Sequence, residues 1–162
     1  MGRSRGGLTT KIHLAADLGS RPLSRVTSAG QRNDALGFEP VLRRLRIARR
    51  GPGRPRTRPG QALADKAYSS RSIRSGLRRR GIRAVIPEPL DQARHRRQRG
   101  AAGGRPILLD QNAYRLRNTV ERAVNKLRQY RAVATRYDKR DYVYRGTLDI
   151  AAIGIWLRNP VS

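Results

Sequence analysis

The sequence predicts an α/β fold, a mixed sheet flanked by helices. Three observations carry this. Apolar and polar side chains alternate on either side of a turn within residues 8–28, the pattern of a strand hairpin. Two short segments that read as strands, 61–64 and 83–86, are separated by a segment with helix start and stop signals, which suggests a parallel crossover onto the same sheet. Two later segments, 111–128 and 144–158, carry apolar residues at helical spacing.

Each element has a local reason. Ile12, Leu14 and Ala16 alternate with Lys11, His13 and Ala15 to make the first strand, 8–16. Asp17-Leu18-Gly19-Ser20 is turn chemistry, and Leu23 and Val26 mark the partner strand, 22–28. This alternation turns His13 outward. Asn33-Asp34 is an N-cap pair before Leu36, Phe38, Val41, Leu42 and Leu45, so a helix is expected over 35–47, with Pro40 able to shift its start towards Glu39. Residues 48–60 hold Gly51, Pro52, Gly53, Pro55, Pro59 and Gly60 among arginines and read as an exposed basic loop. The run 61–64 ends at Asp65. Ser69 or Ser70 caps a helix running to Arg80 and stopped by Gly81. Residues 90–106 are polar and Arg-rich, contain His95, and read as a second basic loop. Asp110 caps the helix 111–128, and Trp156 is expected to anchor the last helix in the core.

The chain has 162 residues, fitting one domain spanning 2–158. It has no cysteine, which excludes disulfide scaffolds, cysteine-based zinc sites and thiol nucleophiles. Lys and Arg number 37 against 11 Asp and Glu, a formal net charge of +26, and only Lys11, Lys66, Lys126 and Lys139 are lysines. Such a field attracts polyanions, and the arginine fork suits phosphate. The longest apolar run, 150–157, is far short of the ~20 residues of a membrane span. No apolar signal segment follows the N-terminus, so a cytoplasmic, nucleoid-associated protein is expected.

Two acidic positions stand out. On a continuous helix 111–128, Leu116, Val120, Ala123, Val124 and Leu127 form the core stripe, and Tyr114, Arg117, Glu121 and Arg128 fall within a neighbouring arc of ~60°. Asp65 stands where a buried strand ends, a usual place for polar sites in an open α/β sheet. Spacing alone leaves Glu121 readable as a surface acid paired with Arg117, and Asp65 as a turn aspartate. Tyr137, Tyr142 and Tyr144, near Arg136, Lys139, Arg140 and Arg145, read equally well as a DNA-facing or a solvated edge.

Several strings together carry a family resemblance: Gly-Arg-Ser-Arg-Gly-Gly-Leu-Thr-Thr-Lys-Ile-His at 2–13, Leu-Ala-Asp-Lys-Ala-Tyr-Ser-Ser at 63–70, Ile-Arg-Ala-Val-Ile-Pro at 82–87, the Tyr114/Arg117/Glu121 series, and Arg-Tyr-Asp-Lys at 136–139. In this order they resemble bacterial insertion-sequence transposases of the DDE type, nearest the insertion-sequence-five family of the IS-four-like group, over about 2–158. The resemblance implies a ribonuclease-H-like fold. It also implies three carboxylates holding two Mg²⁺ (or Mn²⁺) ions for phosphoryl transfer. Asp65 matches the second carboxylate and Glu121 the third. Tyr114, Arg117, Arg128, Lys66 and Lys126 are then DNA-contacting, with Arg128 where the family signature has lysine.

The family's first aspartate lies on a strand preceding the Gly-Arg-Ser-Arg-Gly-Gly segment. Asp17, at the hairpin turn, does not match it. The resemblance therefore implies the C-terminal part of a DDE domain lacking its first strand, either the second frame of a frameshifted element or a decayed copy. It also implies that the chain is inactive alone. The implied partners are double-stranded DNA, both inverted-repeat ends and target, and an upstream frame product or a second copy. The competing reading is a non-catalytic basic nucleic-acid-binding protein.

Overall fold

The computed structural model describes residues 2–4, 7–49, 51–138 and 140–160. Arg5 and Gly6 of the N-terminal string and Lys139 of the Arg136–Lys139 string lie outside them. The chain forms two compact units, Met1–Thr57 with Asn118–Ser162, and Arg58–Arg117.

In the first unit, β1 (Gly2–Ser4), β2 (Gly7–Ala16) and β3 (Pro22–Ala29) form an antiparallel sheet in the order β1-β2-β3. The hairpin forms where the alternation places it, pairing Ile12 with Thr27 and His13 with Val26, with an irregularity at Ala15/Ala16. Asp17 locks its turn. The carboxylate accepts from Arg21 N at 2.8 Å and Arg21 Nε at 2.6 Å, which explains in structural terms why an acid stands there. Arg21 in turn lies 4.7 Å from the Trp156 ring, whose Nε1 donates to Pro22 O at 2.7 Å.

Both faces of this sheet are covered. On one side lies α1 (Ala35–Arg43). It begins at Ala35, whose N–H is taken by Asn33 Oδ1 at 2.9 Å, and carries Pro40 within it rather than starting later. It also ends earlier than the expected 47. Ile47 instead pairs with Arg56 across the base of the Gly/Pro-rich segment. On the other side lie α5 (Asn118–Arg128) and α7 (Asp141–Arg158). With α6 (Arg131–Thr135) they bury Leu127, Val133, Tyr144, Leu148, Ala151 and Ile155, and Ile12 and Leu14 pack against this cluster.

This two-sided cover overturns the outward reading of His13. The residue faces α1, is buried, and shares a 2.7 Å hydrogen bond with Ser28 Oγ. A β-carbon on Gly37 of α1 would overlap its ring, so glycine is required for the approach. Burial lowers the His13 pKa, with Asp34 opposing and Lys11 assisting.

The second unit is a βαβ unit. Strands β4 (Gln61–Leu63) and β5 (Arg83–Val85) pair in parallel, with α2 (Arg71–Arg79) as the crossover. Ser70 caps α2 by accepting from Ile73 N at 3.2 Å. Leu77, Ile82, Val85 and Ile86 are buried. The described strands thus form two sheets, three-stranded and two-stranded, where one mixed sheet was expected.

Two further expectations are corrected. Residues 90–106 are not one loop: α3 (Leu90–Gln98) and a 3-10 turn (Gly100–Gly103) form there. This helix carries no apolar stripe and is held by polar bonds instead. Gln92 Nε2 donates to Ser69 O at 2.8 Å, and Arg96 grips Glu88 through two bonds of 3.1 and 3.0 Å. The helix expected over 111–128 is also broken. Asp110 caps α4 (Gln111–Arg115) through Ala113 N at 2.9 Å, then the N–H groups of Leu116 and Arg117 bond only three residues back, to Ala113 and Tyr114. Leu116, expected in the core stripe, is exposed, and Thr119 begins the buried stripe of α5 instead.

Candidate active site

Asp65 follows β4 at its carboxyl end. Its Oδ1 accepts from Lys66 N at 2.6 Å and so caps the single 3-10 turn Lys66–Tyr68. The parallel pairing puts two acids beyond the same sheet end, Asp65 after β4 and Glu88 after β5. Both Asp65 and Lys66 are exposed.

Behind Asp65 the backbone is fixed by a partly buried polar cluster that no sequence pattern announces. Ser69 is buried, and its Oγ donates to Gln92 Oε1 at 3.1 Å. Arg74 Nη2 donates to Ser69 Oγ at 2.9 Å and Ile86 O at 2.8 Å, tying the segment after Asp65 to the end of β5. Burial lowers the Arg74 pKa, and the nearby Glu88 charge opposes that shift. In the sequence the signal was faint: a Ser, an Arg five residues on, and a Gln within a segment without periodicity.

Tyr114 and Arg117 belong to this same unit, with the Arg117 guanidinium 5.7 Å from the Tyr114 ring. Glu121, Lys126 and Arg128 belong to the other, on α5. Glu121 lies in the first turn of α5 on its exposed side, opposite Thr119, Ala123 and Leu127. Arg128 is exposed at the last turn, and Lys126 Nζ donates to Gly19 O at 3.1 Å in the hairpin turn. The four residues expected on one helical arc are therefore shared between α4, the turn after it, and α5.

Among the described residues, no group of three or more His, Asp or Glu side chains is placed to hold a metal ion. The two matched carboxylates sit on different units, Asp65 beside Lys66 and Glu121 beside Arg122. No helix among the described residues is long and apolar enough to cross a membrane.

The chain is similar in sequence to known proteins. The profile of the family described as Transposase DDE domain matches residues 2–147. A protein named as a transposase for insertion sequence element IS402, from Burkholderia cepacia, is 28% identical over 148 residues, covering 91% of this chain and 62% of that protein. This chain thus spans less than two thirds of that relative's length. A protein named as a transposase for insertion sequence element IS6501, from Brucella ovis, is 26% identical over 151 residues, covering 93% of this chain and 100% of that protein. No solved structure matches. With the profile running over nearly all of its residues, the chain belongs to the transposase DDE domain family.

Proposed function

We propose that the chain is a portion of a DNA transposase catalytic domain, of ribonuclease-H-like type and of the insertion-sequence-five branch. The match to the DDE domain family over 2–147 carries this reading. Asp65 and Glu121 supply two of the acids of the phosphoryl-transfer centre. Asp65 suits the role because the strand β4 and the Arg74 cluster hold its backbone while its carboxylate stays exposed. Tyr114, Arg117, Arg128, Lys66 and Lys126 meet DNA. The partners are insertion-sequence ends and target DNA, in the cytoplasm at the nucleoid.

A divalent ion, when bound, would activate the attacking oxygen and stabilise the leaving one. The resemblance expects a third carboxylate, which another segment or chain would supply. The 162-residue chain alone is then inactive in strand transfer.

Two assays test this. The purified chain with Mg²⁺ and DNA carrying the element's ends should give no cleavage; robust metal-dependent cleavage would refute inactivity. In an enzyme completed by the upstream segment, Asp65→Ala and Glu121→Ala should each abolish transposition while leaving DNA affinity unchanged or raised. Wild-type transposition by both variants would remove the catalytic reading. The basic nucleic-acid-binding alternative, favoured by the +26 charge, would then stand.

A further inference from the structure

Outside the acidic positions, the first unit contains a polar cleft of about 320 Å³ along β3, between the C-terminal end of α1 and the middle of α7. Residues 23–27 of β3 line one wall, and Arg44, Arg145, Leu148 and Asp149 complete it. Among the described strands β3 is one of the two outer strands of its sheet, so this is a sheet edge.

Three guanidiniums meet here. Arg44 Nη1 donates to Arg25 O at 3.3 Å. Arg145 Nε donates to Thr27 Oγ1 at 2.9 Å, and its Nη2 pairs with Asp141 at 2.6 Å. Arg25 pairs with Asp149. A guanidinium has five N–H donors, and each of these three uses one or two on the protein in these bonds. Even with Asp141 counted, positive charge exceeds negative. Burial, and after it the neighbouring Arg44 charge, push the Arg25 pKa down.

The same geometry argues against the usual occupant of a sheet edge, an added peptide strand. Arg44 already takes the Arg25 carbonyl that such a strand would need. What remains is donor-rich, small and net positive, which suits a compact oxyanion. We propose that this cleft is a second contact with double-stranded DNA, in which Arg44 and Arg145 hold a backbone phosphodiester over β3. Arg25 is its positioning residue, kept in place by Asp149. The proposal rests on the reading that the chain meets DNA.

The test is a salt titration of the full chain on a random-sequence duplex, read by fluorescence anisotropy. Each lost phosphate contact should reduce the slope of log affinity against log salt by about 0.9, so the deficit of Arg44→Ala or Arg145→Gln should shrink about 3.5-fold between 50 and 200 mM salt. Arg43→Ala is the charge-matched control from the same region, exposed and paired with Glu39, and should leave the slope unchanged. If the cleft variants match their control while wild type binds DNA, the cleft is overturned and the DNA reading survives. If wild type fails to bind any duplex, both fall. Arg145 also bonds Thr27 and Asp141, so a misfolded Arg145→Gln would leave the exposed Arg44→Ala to decide. Inorganic phosphate, followed by ³¹P line width, should be displaced by duplex; tight phosphate binding that duplex cannot displace would assign the cleft to free phosphate and overturn the proposal.

Discussion

The two units are held together by different chemistry. The unit of β1–β3 rests on an apolar cluster from α5, α6, α7 and β2, with Leu148 and Leu127 almost inaccessible to solvent. The βαβ unit buries fewer large apolar side chains. It adds polar ties, Arg74 to Ser69 and Ile86, Gln92 to Ser69, and Arg96 to Glu88. Hydrophobic packing is tolerant of direction, whereas hydrogen-bonded clusters are lost when one partner goes. Asp65 stands in the second unit and Glu121 in the first. One acid is thus positioned by a polar network and the other by the buried stripe of a helix.

Substitutions can break this contrast, beginning with the largest effect. Leu148→Ala empties space at the centre of the apolar cluster and should cost about 2–5 kcal/mol, seen as lost hydrogen-exchange protection in β2, β3 and α7. Arg74→Met keeps the bulk of the side chain but leaves Ser69 Oγ and Ile86 O without that donor. It should cost about 1–3 kcal/mol in denaturant unfolding, with Arg74→Lys recovering part. A Met variant as stable as wild type would mean that the network orders the Asp65 segment without stabilising it. Ser70→Ala removes the α2 cap and should cost about 1 kcal/mol, read from the denaturation midpoint.

The smallest effect is a pH slope. Burial holds the folded His13 pKa below its ordinary 6.5, so near and below pH 6.5 the unfolded chain carries more protons than the folded one. Stability from this residue is therefore complete above pH 6.5 and falls as pH drops from there through the folded pKa. His13→Gln should flatten that part of the melting temperature–pH profile. An unchanged slope would assign it to other groups.

The hairpin was legible because period-two alternation and the Asp17–Ser20 turn are local signals. The Ser70 and Asp110 caps were legible for the same reason. Alternation points His13 outward because it sorts residues onto two faces without saying that both are covered. Helix α3 leaves no pattern in the sequence because it has no apolar stripe; its order comes from Glu88 and Ser69, outside its own span. The break after α4 was hidden because Leu116 keeps helical spacing with Val120 and Ala123, although the chain turns there and leaves Leu116 exposed. The resemblance singles out Asp65 and Glu121 as expected site residues, but no local pattern points to the arginine cleft. Its residues come from one strand and two helices far apart along the chain.

The sequence by itself determined the class of elements, the hairpin, the caps, the polyanion-seeking charge and the transposase family, since each is written in neighbouring residues or in strings of them. The tertiary structure alone decided which strands share a sheet, which face His13 occupies, where the long helix breaks, and which arginines converge on β3. Those outcomes depend on packing and hydrogen bonds between residues remote in sequence, whose free energy no local window contains.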